Sequence, residues 1–306
     1  MSALDSGWVN AGTTSIDGED YILLNMGNAL DGLARHEDAI TAYRRSLAII
    51  SRHHGPESTS AAYLHINIGW SLAQLKRYDE GYDASATGYD ILRRKTGPGA
   101  DKIAYVLNNM GIIREWQGRH REAIALNLRS LVIYERFQDI TLAPKRWALR
   151  SLANSYAALG QKQAAILFAK LAVNTHQKIR SLNTGLDQGH ASALTDSWRT
   201  IYTGLADMLV GEGRIAEAQY VLNLLKQQEL IEFVRRDSAA GTGAGSASLT
   251  GSEQKKSDGL TGAMAGPIAL AAELDELTAK QQSGTCLLYT SPSPRDRTRS
   301  RMPSSA

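Results

Sequence analysis

The chain has 306 residues and a formal net charge of +3, from 34 Lys and Arg against 31 Asp and Glu. Four of the arginines and one of the acids lie in the last 21 residues, so the remainder is neutral, with 30 basic and 30 acidic side chains. A neutral body lacks the positive field that is typical of nucleic-acid and anionic-membrane binders, and we expect neither partner.

Residues 1–17 are polar and supply neither a signal peptide nor a clear capping helix, so they are predicted to be a poorly ordered N-terminal segment. No apolar run of the sequence is long enough to cross a bilayer. We therefore expect no membrane contact and a cytoplasmic location.

One seven-residue phrase occurs three times at a spacing of 42 residues: YILLNMG (21–27), YLHINIG (63–69) and YVLNNMG (105–111). Small residues mark the same register, with Gly or Ala at 27, 69, 111 and 153 and again twelve residues later at 39, 81, 123 and 165. Residues 203–225 match the fourth unit after an insertion of about 11 residues. A repeat this regular predicts a solenoid of stacked units.

Each unit is predicted to contain two helices, because the apolar positions follow a period of about 3.6 residues. The first helix of the first unit buries Leu23, Met26, Gly27 and Leu30, and the second helix buries Ala39, Ile40, Tyr43 and Leu47. The small residues are expected where two helices approach closely.

This pattern resembles the tetratricopeptide repeat (TPR), in the 42-residue variety found in kinesin light chains and in many bacterial proteins. The resemblance implies an all-α superhelical solenoid of antiparallel helix pairs, followed by a linker and a further helix. The array would span 18–237, with repeats near 18–54, 60–95, 102–137, 144–182 and 197–237.

A second stripe recurs on the first helices, roughly opposite the predicted core positions. In TPR proteins the first helices line a concave groove that binds peptides, so a protein or peptide ligand is the expected partner. Asn amides can pair with a peptide backbone, and Tyr or Trp adds apolar area. Two alternatives stay open: the Asn side chains bond a neighbouring helix, and the aromatic rings pack between repeats. The predicted groove residues are Tyr21, Asn25, Asn28, Tyr63, Asn67, Trp70, Tyr105, Asn109, Trp116, Trp147 and Asn154.

The sequence after the fourth repeat resembles the segment that joins the repeats to a caspase-like CHAT domain in bacterial TPR-CHAT proteins. The resemblance rests on residues 168–237, with GEGRIAEAQYVLNLLKQQEL and FVRRD, and on SLTGSEQ (248–254). Residues 238–266 are predicted to be a flexible Gly/Ser/Ala linker, and residues 267–285 a helix leading to a missing C-terminal domain. The glycine run GTGAGS (241–246) belongs to that linker, because it follows a helix-like stretch and not a strand.

Residues 286–306 resemble the translation of a transposase-type sequencing-library adapter, starting at CLLYTSPSPRD, and are predicted to be a non-native tail. The only cysteine, Cys286, lies in this tail. No catalytic residue, metal ligand or cofactor is therefore assigned, and the histidine pair at 53 and 54 is interpreted as solvated loop residues.

The sequence thus predicts a protein- or peptide-binding TPR scaffold that is not itself an enzyme. By the resemblance, it is the recognition or regulatory half of a CHAT cysteine peptidase, whose catalytic domain would follow residue 285 and could be a second partner. The alternatives are a stand-alone adaptor similar to kinesin light chains and, less favoured, an enzyme with its active site in the groove.

Overall fold

The computed structural model describes residues 18–137, 142–182, 188–235 and 247–263, and this part of the chain is helical throughout its regular structure. Five helix pairs follow one another, and an eleventh helix comes after them. The pairs are α1 (Glu19–Gly32) and α2 (His36–His54), α3 (Thr59–Gln74) and α4 (Tyr78–Thr96), α5 (Asp101–Trp116) and α6 (His120–Tyr134), α7 (Leu142–Ala158) and α8 (Lys162–Leu182), and α9 (Gln188–Gly211) and α10 (Ile215–Arg235); α11 is Gly251–Ala263.

From α1 to α10 each helix packs on the next helix in the chain, and α5 also packs directly against α7. This stacking of neighbours is the arrangement of a repeat solenoid and confirms the predicted fold class. The chain divides into two compact units, residues 1–260 and residues 261–306, and of the second unit the structure describes only the end of α11.

Small residues allow the two helices of a pair to touch, as predicted. A Cβ atom on Gly69 would lie 2.5 Å from the carbonyl oxygen of Gly81, and one on Gly111 would lie 2.6 Å from Nδ2 of Asn127. Both distances are shorter than a van der Waals contact, so a larger side chain would push the paired helices apart.

A left-handed residue ends the first helix of every pair. Ala34, Lys76, Gly118, Gly160 and Gly213 all have φ between 59° and 75°. At Ala34 the N–H bonds to the carbonyl of Asp31, and the next N–H, of Arg35, bonds to the carbonyl of Leu30. This is the Schellman motif, which satisfies the last carbonyls of a helix and reverses the chain within three residues. The tight turn fixes the antiparallel geometry of each pair.

The face of α1 that points away from its own pair is open, whereas the same face of the later first helices is covered. Ile22 and Leu33 are 66% and 71% exposed, but Leu64, which is 42 residues after Ile22, is 1% exposed. Met26 was predicted to be buried and is 42% exposed. That prediction was wrong because no repeat precedes α1 among the described residues. In the later units a preceding repeat covers the same side of the first helix, and Ile68, the residue of α3 equivalent to Met26, is buried there.

The predicted flexible linker over 238–266 also needs correction, because residues 251–263 form α11. Thr250 and Glu253 form a reciprocal cap at its start: the Thr250 N–H donates to Glu253 Oε2 over 2.8 Å, and the Glu253 N–H contacts Thr250 Oγ1 at 3.4 Å. This capping box satisfies helix N-terminal groups that would otherwise lack partners. The predicted segment 1–17, the helix at 267–285 and the tail at 286–306 lie outside the described residues.

Candidate functional site

The eleven predicted groove residues lie on α1, α3, α5 and α7, and they fall into three classes of exposure. Tyr21, Asn25 and Asn154 are exposed. Trp70, Tyr105, Trp116 and Trp147 are partly buried. Asn28, Tyr63, Asn67 and Asn109 are buried, although we expected them on the free surface.

The burial of these four residues has a structural reason. A first helix is covered both by its own second helix and by the neighbouring repeats, so its free arc is narrower than a helical projection suggests. Asn28, for example, accepts a hydrogen bond from the Tyr43 hydroxyl of α2 over 2.9 Å. For Asn28 this agrees with the interpretation that the Asn side chain bonds a neighbouring helix.

Among the predicted groove residues, the hydroxyls of Tyr63 and Tyr105 and Nδ2 of Asn109 form no hydrogen bond of good geometry to another described residue. Burial raises the pKa of Tyr105, and the nearby amide of Asn109 opposes that rise. The ammonium of Lys102 lies 5.4 Å from the centre of the Tyr63 ring. These polar groups of α3 and α5 therefore have polar neighbours within the protein, but no hydrogen bond of good geometry among the described residues.

A cluster of three aromatic rings bridges the same two repeats. The indoles of Trp70 on α3 and Trp116 on α5 have ring centroids 5.4 Å apart and are tilted by 45°. Tyr78, at the start of α4, lies 6.4 Å from Trp116. All three rings are partly exposed, and we call them the aromatic cluster. Tyr78 was not identified in the sequence, because it begins a second helix and the predicted stripe followed only the first helices.

A polar network lies beside the aromatic cluster, between α5 and α7. The exposed amide of Asn154 donates to Oε1 of Glu115 over 2.7 Å. Burial raises the pKa of Glu115, while hydrogen bonds from Ser151 and Asn154 and the charge of Arg150 oppose the rise. Asn154 is thus already bonded to its own protein, although it lies on the surface where we predicted it.

Trp147 belongs to a separate cluster around a buried cation. Its ring lies 4.9 Å from that of Trp198, and the guanidinium carbon of Arg146 lies 3.1 Å from the centre of the Trp198 ring. His176 also stacks on the Trp198 ring, with the two ring centroids 4.6 Å apart. Its Nδ1 lies 3.0 Å from Nη1 of Arg146. Arg146 is 1% exposed. This cluster was not predicted from the sequence, because an Arg next to a Trp on a helix has no periodic signal of burial.

A second missed feature connects α8, α10 and the start of α11. Lys170, 1% exposed, bonds to the carboxylates of Glu217 and Glu253, and Arg214 bonds to the same two acids. Asn174 bonds to both backbone groups of Ala247. The Thr-x-x-Glu pattern at 250–253 was the sequence signal for the helix start, but no local signal pairs it with Lys170.

Within the described ranges, no group of three His, Cys, Asp or Glu side chains is arranged to hold a metal ion. His53 and His54 are exposed at the end of α2. Among the helices that the structure describes, none combines the length and apolar character needed to span a bilayer.

Antiparallel pairs with small residues at the crossings, repeated at 42 residues, define a TPR solenoid, a class of scaffold that generally binds other proteins. Two family models described as tetratricopeptide repeat match the chain, one at residues 21–60 and the other at residues 102–178. The predicted TPR repeats are therefore confirmed.

Two solved structures show the same fold. Two crystal structures of nearly identical TPR-like repeats assigned to a Podosopora anserina kinesin light chain are each 15% identical to this chain. One has a TM-score of 0.54 and covers 73% of this chain and 100% of that chain; the other has a TM-score of 0.52 and covers 72% and 99%. BtubC (BKLC) from P. vanneervenii is 20% identical, with a TM-score of 0.48 and coverage of 58% of this chain and 69% of that chain. No curated protein matches the sequence.

Proposed function

We propose that this chain is a peptide-binding scaffold whose ligand lies on the first helices, with the aromatic cluster of Trp70, Tyr78 and Trp116 at its centre. The observation that carries the proposal is the pair of partly exposed indoles, 5.4 Å apart, that joins two adjacent repeats. Trp and Tyr are enriched among the residues that dominate binding energy, because each buries a large apolar area and keeps a polar edge.

The polar groups of the same two repeats support this assignment. The hydroxyls of Tyr63 and Tyr105 and the amide of Asn109 form no hydrogen bond of good geometry among the described residues, although Lys102 lies beside Tyr63 and Asn109 beside Tyr105. Buried polar groups are normally satisfied, and a bound peptide offers carbonyl and amide groups that could complete them. The proposed ligand therefore combines an apolar or aromatic anchor for the indoles with an extended backbone.

The wider context of the site belongs to the proposal as well. We place the protein in the cytoplasm and regard it as the recognition half of a CHAT peptidase, with residues 286–306 as a non-native tail. This part rests on the resemblance of residues 168–237 and 248–254 alone. The second candidate is a stand-alone adaptor, and the match to kinesin-light-chain repeats favours it. The genomic sequence that follows codon 285 decides between them, because a CHAT domain must encode a His and a Cys in one reading frame.

The binding site is tested by selection from a phage-displayed library of random peptides. The full chain, a Trp70→Ala/Trp116→Ala double variant and a Tyr89→Ala variant serve as targets. Tyr89 is the matched control: it is a partly buried aromatic residue, but it lies on the second helix α4 and bonds to Arg129. We expect enriched peptides to bind the full chain and the Tyr89 variant, and to lose at least tenfold in affinity for the double variant.

Two results would overturn the assignment. The first is enrichment of peptides that bind the double variant as tightly as the full chain, which would place the ligand elsewhere. The second is loss of binding in the Tyr89 variant to the same extent, which would show a general effect on folding. Circular dichroism melting of all three proteins establishes that each is folded at the temperature of the assay.

A further inference from the structure

The segment that follows the array is held by side-chain contacts to its backbone. The Asn174 side chain on α8 donates from Nδ2 to the Ala247 carbonyl over 3.0 Å and accepts from the Ala247 N–H at Oδ1 over 2.7 Å. Lys170, one helical turn before Asn174, donates to the carbonyl of Ser248 over 2.9 Å. None of these three bonds uses the side chain of Ala247 or Ser248. Ala247 is only 3% exposed, so the anchored position takes a small residue.

The carboxylate of Glu253 provides the specific contact. Its Oε2 lies 2.9 Å from Nζ of Lys170, and its Oε1 lies 3.0 Å from Nη1 of Arg214. Burial on its own raises the pKa of Glu253, but the Thr250 N–H, Arg214 and Lys170 together lower that pKa to about 2. Glu253 is therefore ionised throughout the neutral range and acts as a fixed negative charge.

The charges on α8 and α10 balance only when this carboxylate is present. Lys170 and Arg214 carry two positive charges, and Glu217 supplies one negative charge. With the segment in place Lys170 is 1% exposed, and a segment without the carboxylate would leave two positive charges facing one negative charge in this buried site, which is unfavourable. A replacement for the segment must consequently bring its own anion.

We infer that Lys170, Asn174 and Arg214 form a second peptide-binding site, specific for a segment that anchors a backbone amide and, six residues later, presents a carboxylate from the first turn of a helix. Residues 247–254 occupy this site in cis. Lys170 and Asn174 lie on α8 and Arg214 lies directly before α10, so the site is distinct from the aromatic cluster on α3, α4 and α5. A separate peptide of the same pattern competes for it when the chain's own segment is released.

The test uses the full chain and a fluorescein-labelled peptide of residues 247–257, ASLTGSEQKKS. In the wild-type chain the tethered segment has a high effective concentration, so the peptide binds weakly. A Glu253→Lys chain places a cation against Lys170 and Arg214 and releases its own segment. We expect fluorescence anisotropy to show at least tenfold tighter binding of the peptide to this variant than to the wild type.

Two controls separate the backbone contact from the charge contact. A peptide in which Gln replaces the residue equivalent to Glu253 should lose at least tenfold in affinity for the Glu253→Lys chain. Adding Asn174→Ala to that chain should weaken binding of the original peptide, whereas adding Trp70→Ala and Trp116→Ala should leave it unchanged. The last result keeps this site separable from the proposed peptide groove.

Amide hydrogen exchange of residues 247–254 shows whether the chain's own segment is released in the Glu253→Lys variant. In the wild type the Ala247 N–H should exchange at least tenfold more slowly than in the Glu253→Lys chain. If that N–H stays protected in the variant, the carboxylate is not the anchor and the inference is wrong. If the segment exchanges freely but the peptide does not bind, the contact is intramolecular packing only and the inference is equally wrong.

Discussion

At position 176, a histidine side chain is enclosed between the guanidinium of Arg146 and the rings of Trp198 and Tyr202. Burial, together with the charges of Arg146 and Arg180, lowers the pKa of His176 to about 2. In the unfolded chain a histidine has a pKa of about 6.5. Below that pH the unfolded state binds a proton that the folded state refuses, so His176 reduces the stability of the protein as the pH falls.

We predict that His176→Gln weakens this pH dependence. At pH 7.5 the variant should be less stable by about 1–2 kcal/mol, because it loses the stacking on Trp198. Below pH 6.5 the wild type loses up to about 1.4 kcal/mol for each pH unit through this group, and the variant does not. Urea unfolding at pH 7.5 and pH 5 measures the difference, with the exposed His53→Gln as control. Parallel stability curves for wild type and His176→Gln would refute the assignment.

Burial was predicted correctly for residues whose contacts lie within one helix pair. It was predicted wrongly for residues whose burial depends on another repeat. Gly69 and Tyr43 depend on contacts within one helix pair, and a single repeat contains that information. Asn109 and Met26 depend on whether another repeat covers the first helix, which changes along the array. Helical periodicity describes one helix and its nearest packing face, so it could not distinguish these cases.

At the scale of the element, the Schellman turn recurs with different residues at its left-handed position. Gly118, Gly160 and Gly213 fill it in the last three pairs, whereas Ala34 and Lys76 fill it in the first two. A side chain with a Cβ is strained at positive φ by roughly 1 kcal/mol, and glycine is not. Alignment of the repeats at 42 residues makes this position visible in the sequence.

We therefore expect Ala34→Gly and Lys76→Gly each to stabilise the protein by roughly 0.5–1 kcal/mol. The gain is smaller than the full strain, since glycine also adds freedom to the unfolded chain. Gly118→Ala is the matched reverse change and should destabilise by about 1 kcal/mol or more. The midpoints of urea unfolding measure all three. Loss of stability in both glycine variants would show that the turns relax away from positive φ in solution.

The start of α11 shows what local sequence can and cannot tell. Thr250 and Glu253 have the spacing of a capping box, and this signal was present within the predicted linker. The contacts of Glu253 to Lys170 and Arg214 join positions 83 and 39 residues apart in sequence. Pairing over such separations follows from the packing of α9 against both α8 and α10 and has no signature in either segment alone.

At the scale of the whole molecule, a solenoid makes the cost of a substitution depend on its place in the array. Each repeat contacts only its neighbours, so stability is close to a sum of repeat and interface contributions. Equivalent positions 42 residues apart have the same place within their own repeat, but they differ in whether a neighbouring repeat buries them. Ile22 and Leu64 are such a pair, with exposures of 66% and 1%.

Leu64→Ala should accordingly cost about 2–5 kcal/mol, because it removes buried methyl groups and leaves a cavity between the first and second repeats. Ile22→Ala should cost less than about 0.5 kcal/mol, because solvent already surrounds that side chain. Urea unfolding measures both variants, and amide exchange of α1 and α3 shows which repeat opens. A cost above 1 kcal/mol for Ile22→Ala would mean that the open face of α1 is covered in solution, and the stripe of Ile22, Met26 and Leu33 would then be a contact surface with the same role as the covered face of α3.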